Sequence, residues 1–346
     1  MTVTVTSPGR VNLIGEHTDY NGGWVLPAAL SVSLTATLMP RRDERISVSA
    51  RGFHGTAERR LTDERADHWS DAAVGALREA RALQLIDGGA DLVIRSTIPA
   101  GSGLSSSAAL IVAILKAARE YDGADLSDTE IALAARRVEN DYIGVPCGIM
   151  DQMAVAIAKP GEAMALDTAT LTHRIVKLPK SHDMAVIHSG RTRKLSDGRY
   201  AARKEECDAA KTAFGASELC LLEPAHIKGA ANIDETLRRR AHHCAGEHRR
   251  VLAAVEAIEN GDICQFGALM NASHASMRDD FEISLPSIDA LVDDAIRMGA
   301  VGARLTGGGF GGCIVACIAR DRRNEWQEKL LAAHPKASFV DAVSAG

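Results

Sequence analysis

Apolar positions alternate with polar ones early in the chain and fall into a longer period further on. Residues 3–6, 32–38 and 46–50 are short β-branched runs separated by turns, the pattern of strands laid into a sheet. Residues 92–96 read as a further strand that leads into Pro99-Ala100-Gly101-Ser102-Gly103, after which a helix begins. There Ile111, Ile114, Leu115 and Ala118 fall at i, i+3, i+4 and i+7, one buried stripe. The next helix carries its own start signal. Ser127 and Glu130 form an S-x-x-E box, in which each side chain satisfies a free backbone N–H of the first turn. Ile131, Ala134, Val138 and Tyr142 make its apolar face, Glu139 lies beside that face, and Gly144 stops it.

Beyond this the texture changes. A strand recurs at 184–188, residues 200–257 form a long helical region rich in Arg, Glu and Ala, and 288–298 predicts another helix. A glycine turn at 307–312 precedes a buried strand at 314–318. The change near 170–180 predicts two domains, 1–175 and 176–346, in keeping with roughly 150 residues per domain.

Composition narrows the possible functions. Apolar residues are 46% and charged residues 25% of the 346, an ordinary globular balance. A formal charge of −5 argues against a nucleic-acid binder, which wants a basic face, yet allows a triphosphate held by a few local cations. The opening MTVTVTSPGR has neither the basic segment nor the apolar core of a signal peptide. The longest apolar runs, near 108–115 and 313–319, fall far short of the ~20 residues that span a bilayer. Seven cysteines show no regular framework. Cys313 and Cys317 stand four apart and Cys244 follows His242 and His243, but no second pair completes a zinc site. Buried, reduced thiols are expected, and with them a cytoplasmic enzyme that works as a monomer.

Three constellations carry candidate chemistry. The first is PAGSGLSSSAAL, residues 99–110, between a strand and an amphipathic helix. Its glycines let the backbone approach a ligand, and the helix N-terminus offers N–H groups and partial positive charge to phosphate. Ser105, Ser106 and Ser107 add hydroxyls for phosphate or metal. No Gly-Lys-Ser/Thr follows, so this is not a Walker A loop. A flexible connector is the weaker reading at such a position. The second is Glu16-His17-Thr18-Asp19, with Gly15 before it and Asn21-Gly22-Gly23 after. Such a set of donors and acceptors suits sugar hydroxyls, although on composition a solvated polar turn explains it better. The third is Gly148-Ile149-Met150-Asp151-Gln152, where Asp151 opens an apolar helical run. It is either a first-turn aspartate favoured by the helix dipole or a functional carboxylate. The glycine run 307–312 opens no amphipathic helix, so it is not a dinucleotide site.

In this order the pieces resemble the GHMP kinase superfamily, and within it the galactokinase family. The similarity covers residues 7–319 and rests on GRVNLIGEHTDYNGG (9–23), PAGSGLSSSAA (99–109), GVPCGIMDQ (144–152), SHASMRDDFEIS (273–284) and LTGGGFGGC (305–313). The resemblance implies an α+β fold of two GHMP domains with the active site in the interdomain cleft. It implies transfer of the γ-phosphoryl group of ATP to the anomeric hydroxyl of galactose, with Mg²⁺ as cofactor. By position in the motifs, Glu16, His17, Thr18 and Asp19 match the sugar-binding residues and Tyr200 the tyrosine that packs against the sugar. Gly101, Ser102, Gly103, Leu104, Ser105, Ser106 and Ser107 match the loop around the ATP phosphates, and Trp69 the tryptophan near the adenine. Ser107 and Glu139 match the magnesium ligands, Glu139 standing twelve positions before Asp151. Asp151 matches the catalytic base and Arg10 the residue that stabilises the transition state. With Arg10 alongside, Asp151 is expected to orient the hydroxyl and take its proton late.

The chain departs from the family pattern at three places. Gly198-Arg199-Tyr200 stands where Ser-Glu-Tyr is usual, His188-Ser189-Gly190 where Asn-Ser-Asn is usual, and Ala72 where a tyrosine follows the tryptophan. The first two bear on selectivity at the sugar. An N-acetylgalactosamine kinase of the same family is an alternative, against which Thr18 and Asn21-Gly22-Gly23 speak. A non-catalytic sugar sensor is another, against which Ser107-Ala108 and Asp151 speak. A glycosidase built on Glu16 and Asp151 would leave the phosphate loop without a use.

Overall fold

A computed structural model describes residues 1–52, 55–192 and 198–345. Along the chain come β1 (Val3–Asn12), β2 (Trp24–Val25), β3 (Pro27–Pro40), β4 (Arg45–Ala50), β5 (Thr56–Arg60), α1 (Asp71–Ala82) and β6 (Ala90–Ser96). Next are α2 (Ser106–Asp122), α3 (Asp128–Arg137), a π turn (Val138–Ile143), α4 (Met150–Ile157), β7 (Ala163–Asp167), β8 (His173–Val176) and β9 (His182–His188). The last part holds α5 (Arg199–Phe214), α6 (Pro224–Gly229), α7 (Glu235–Glu259), α8 (Ile263–Asp279) and α9 (Pro286–Arg297). It closes with β10 (Gly302–Thr306), β11 (Cys313–Ala319), α10 (Arg323–Ala333) and β12 (Ser338–Val343). The fold is mixed α+β, and its residues divide into two compact units, both discontinuous in sequence. One holds Met1–Arg10, Val32–Pro99 and Ser105–Ala158; the other holds Val11–Ser31, Ala100–Leu104 and Lys159–Gly346.

In the first unit the long strand β3 pairs antiparallel with β6, from Leu34 opposite Ser96 to Pro40 opposite Ala90. β6 runs parallel to β4, and β4 antiparallel to β5. The same unit holds a cluster of helices with α2 in contact with α1, α3 and α4. Ile111, Val112, Ala113, Ile114 and Leu115 are all fully buried, so α2 is enclosed on nearly every side rather than along one stripe, as its apolar run allows. α3 starts at the expected capping box, with the Glu130 amide donating to Ser127 Oγ and the Ser127 amide to Glu130 Oε2. It does not stay α-helical to Gly144. The last six residues before that glycine widen into the π turn, and Gly144, at φ 76°, ends it in the left-handed conformation that glycine adopts freely.

The second unit contains the antiparallel sheet β10-β11-β9-β12, with β9 and β11 buried along almost their whole length. Burial on both faces explains their continuous apolar runs. α9 lies on β10 and β11, and α10 on α9, where the buried Trp326 donates its indole N–H to the Ala295 carbonyl at 2.9 Å. The helical stretch expected over 200–257 is broken twice. Gly215 closes α5, Pro224 starts α6, and Asp234 caps α7 by accepting from the amides of Thr236 and Leu237. In α7, Arg240, His243 and Glu247 are buried although polar, and their i, i+3, i+7 spacing puts them on one face.

Candidate functional site

In the first unit three motif residues from distant parts of the sequence meet. Arg10 ends the part of β1 that belongs here, and Asp151 lies in the first turn of α4, where the helix dipole favours a carboxylate. Arg10 grips Asp151 through two parallel bonds, Nε to Oδ1 at 2.8 Å and Nη2 to Oδ2 at 2.7 Å. Such a fork fixes the carboxylate plane as well as its charge. Arg10 is nearly buried, while Asp151 keeps 30% of its side chain exposed and so remains reachable by a substrate. Ser105 adds a third bond, its Oγ donating to Oδ2 at 2.5 Å.

Beside them the π turn presents Glu139. Its carboxylate accepts from the side chains of Gln152 and Cys147, and the Ser107 hydroxyl stands near enough to favour its charged form. Withdrawal from water pushes its pKa up, and the Asp151 charge adds to this, against those hydrogen bonds. Oε1 of Gln152 is buried and, among the described residues, has no hydrogen-bond partner. A serine hydroxyl near a carboxylate, with a spare amide oxygen close by, makes a donor set of hard oxygens that fits Mg²⁺. No group of three or more His, Cys, Asp or Glu side chains with metal-site spacing occurs among the described residues.

In the second unit the stretch 11–23 turns back on itself. Gly15 has φ 110°, and a Cβ there would come within 2.9 Å of the Trp24 carbonyl and the Val25 backbone, so only glycine fits. Thr18 is fully buried, with its hydroxyl donating to the carbonyls of Gly15 and Trp24, both at 2.9 Å. Glu16 is buried too. Its Oε1 accepts from the Gly307 amide at 2.9 Å and the Thr306 hydroxyl at 3.2 Å, and its Oε2 is paired with Arg304. Burial pushes the Glu16 pKa up, and Arg304 opposes that rise. His17 sits at φ 62°, with its Nδ1 sharing a hydrogen bond of 2.6 Å with the Tyr20 hydroxyl. Burial holds that phenol well above its ordinary pKa, so it stays protonated. The His17 ring lies 4.6 Å from Phe281 and 5.3 Å from Tyr200. Asp19 is half-buried at the rim of the same turn.

The glycine loop 100–104 belongs to this second unit, in company with the 305–313 motif. Ser102 and Leu104 are buried, Gly101 is exposed, and Gly101 and Gly103 have φ 68° and 76°. The Ser102 carbonyl accepts from Cys313 Sγ at 3.4 Å, and a Cβ on Gly312 would stand 3.0 Å from that same oxygen. Farther along, Ser106 is exposed at the start of α2 and Ser107 half-buried. Trp69 is half-buried in the turn before α1, its ring 5.4 Å from His68.

Sequence reasoning had no grip on several members of these groups. Arg304 and Glu247 carry no local signature, and the bond from Ser105 to Asp151 joins residues 46 apart. One signal was available for Glu247: together with Arg240 and His243 it places polar groups on the otherwise apolar face of α7.

Comparison with known proteins adds independent weight. Residues 2–40 match the family described as the galactokinase galactose-binding signature. Residues 70–159 match the GHMP kinases N terminal domain, and 254–336 the GHMP kinases C terminal. The chain is 40% identical over 345 residues to a galactokinase of Roseiflexus sp. (strain RS-1), covering 97% of this chain and 88% of the relative. In structure it is similar to the galactokinase of Lactococcus lactis complexed with galactose, with TM-score 0.94 and 32% identity over 100% of this chain and 94% of that one. The mevalonate kinase of Methanococcus jannaschii, at 20% identity, TM-score 0.72 and coverage of 99% and 98%, shares the fold.

Proposed function

We infer the roles of these residues from one premise: the chain belongs to the galactokinase family of the GHMP kinases. Its reaction transfers the γ-phosphoryl group of ATP to the anomeric hydroxyl of α-D-galactose, giving α-D-galactose 1-phosphate and ADP. Phosphoryl transfer of this kind passes through a loose transition state, so positioning and charge neutralisation do most of the work.

The observation that carries the assignment of roles is the two-bonded contact between Arg10 and Asp151. Asp151 orients the sugar hydroxyl and takes its proton as the phosphoryl group arrives. Arg10 has five N–H donors, enough to keep the carboxylate and turn others toward phosphoryl oxygens. Residues 101–107 wrap the ATP phosphates at the N-terminus of α2, and Trp69 lies near the adenine. Ser107 and Glu139 would hold Mg²⁺, which when bound offsets the negative charge of the phosphate oxygens. His17, Asp19 and Tyr200 hold the sugar. Glu16 and Thr18 belong to the same sugar-binding turn, and their hydrogen bonds within the protein also fix the backbone that presents His17 and Asp19.

The enzyme works as a monomer in the cytoplasm. A single chain supplies every residue named above, and all seven cysteines are free thiols, which suits a reducing compartment. None of the described helices is long and apolar enough to cross a membrane. An ADP-coupled assay over galactose, 2-deoxygalactose, galactosamine, N-acetylgalactosamine and glucose tests the substrate. Galactose should give the highest kcat/KM, and a higher value for N-acetylgalactosamine would overturn the assignment.

A further inference from the structure

Ser105 stands at the N-cap of α2 with a left-handed backbone, φ 61° and ψ 40°. A serine in that position ordinarily accepts a hydrogen bond from the first turn of its own helix. Ser105 makes no such bond, and its hydroxyl points to Asp151 instead. A left-handed conformation disfavours any residue with a Cβ, and such outliers persist where the surrounding structure holds them for a use.

The number of bonds on each carboxylate oxygen gives that use. An ionised carboxylate oxygen offers about two acceptor sites. Oδ2 of Asp151 takes two donors, Nη2 of Arg10 at 2.7 Å and Oγ of Ser105 at 2.5 Å. Among the described residues Oδ1 takes one, Nε of Arg10 at 2.8 Å. The remaining site is therefore on Oδ1. We propose that Ser105 is a positioning residue for Asp151: by filling Oδ2 it leaves Oδ1 as the atom that receives the anomeric hydroxyl. Ser105 then belongs to the carboxylate rather than to the phosphates, although it lies within the phosphate loop. No covalent step is added; the proton leaving the sugar hydroxyl passes to Oδ1 while the hydroxyl oxygen bonds to phosphorus and the bond to ADP breaks.

The proposal rests on Asp151 facing the hydroxyl, and its test separates the two. Ser105→Gly removes the hydroxyl and at the same time relieves the left-handed strain, so the variant should melt no lower than the parent. Ser105→Ala removes the hydroxyl with the strain left in place. Loss of a hydrogen bond to a charged group should lower kcat about tenfold in both, with KM for ATP and galactose within about twofold of the parent. In an Asp151→Asn background the same Ser105→Gly change should alter kcat less than about twofold, because the two residues act as one unit. Unchanged kcat in both single variants, with Asp151→Asn inactive, overturns the proposal alone. A large rise in KM for ATP at unchanged kcat also overturns it, returning Ser105 to the phosphates. Near-normal turnover in Asp151→Asn would overturn both this proposal and the role of Asp151.

Discussion

Arg304 lies between two buried glutamates, its Nη2 in contact with Oε2 of Glu16 and, at 3.3 Å, with Oε1 of Glu247. Glu247 in turn accepts from the Gly15 amide at 3.0 Å and the Ser273 hydroxyl at 2.5 Å, and pairs through Oε2 with Arg250. The turn that carries His17 and Asp19 is thus anchored at two successive residues, Gly15 and Glu16, by one charged cluster. Arg304→Met would leave two buried carboxylates short of a counter-charge, and breaking such a pair typically costs about 3–5 kcal/mol. Urea unfolding should report a loss of that size, and KM for galactose should rise while KM for ATP stays put. A loss below about 1 kcal/mol would mean that Arg304 is dispensable to the fold.

Acid should act on the same cluster. His243 is buried against Phe281, donates from Nε2 to the Glu16 carbonyl and shares a hydrogen bond through Nδ1 with the Ser276 hydroxyl; burial lowers its pKa from 6.5 to about 4. Unfolded chains bind the proton that the folded His243 refuses, so stability falls as pH drops from about 6.5 towards 4. Burial pushes Glu247 up, but Arg250 and Arg304 outweigh it and hold the group at about 2, against an ordinary 4.5. Its contribution is present above 4.5 and lost as pH falls towards 2. Glu16, raised by burial, works in the opposite direction and trims the loss. From its shift, His243 accounts for up to about 3 kcal/mol between pH 7 and pH 4. Urea midpoints at pH 7, 5.5 and 4.5 should fall in order, and His243→Gln should flatten the first interval. A flat profile in the parent protein would show that His243 titrates normally.

Asp19→Ala should raise KM for galactose about 10- to 100-fold, the loss of a charge-assisted hydrogen bond, with ATP affinity close to that of the parent. Titration calorimetry checks this directly. ATP binding lost and galactose binding kept would place the 9–23 signature with the nucleotide instead of the sugar.

Asp151→Ala should lower kcat by about 10²–10⁴ while ATP still binds. Binding of ATP followed by fluorescence, beside single-turnover rates, separates the two effects. Comparable turnover to the parent would remove the carboxylate from the chemistry.

Local features were legible where local physics decides them. The Ser127–Glu130 capping box, the strands at 46–50 and 184–188 and the helix carrying Asp151 depend on neighbours in sequence, and each stands as the pattern predicts. The contact of Arg10 with Asp151 spans 141 residues, and only the motif resemblance paired them. Glu16 shows what pattern alone misses. A carboxylate in a polar stretch reads as available, whereas the fold buries it against Arg304, a residue 288 positions away that sits in a strand of apolar neighbours. The long helical region expected over 200–257 is helical, but its charged, alanine-rich composition did not show where it divides; the two interruptions are marked by Gly215, Pro224 and Asp234.

The π turn at Val138–Ile143 has a consequence for chain length. A π turn amounts to one residue more than an α-helix needs, and each helical residue advances the chain by about 100°. Deleting Asn140 or Asp141 would let the helix close to its ordinary pitch and rotate Glu139 by about that angle relative to Gly144 and the chain beyond it. Glu139 would then leave Ser107 and Gln152, although every named side chain was still encoded. Here the enzyme depends on a count of residues, and a one-codon deletion should be more damaging than most substitutions in the same turn.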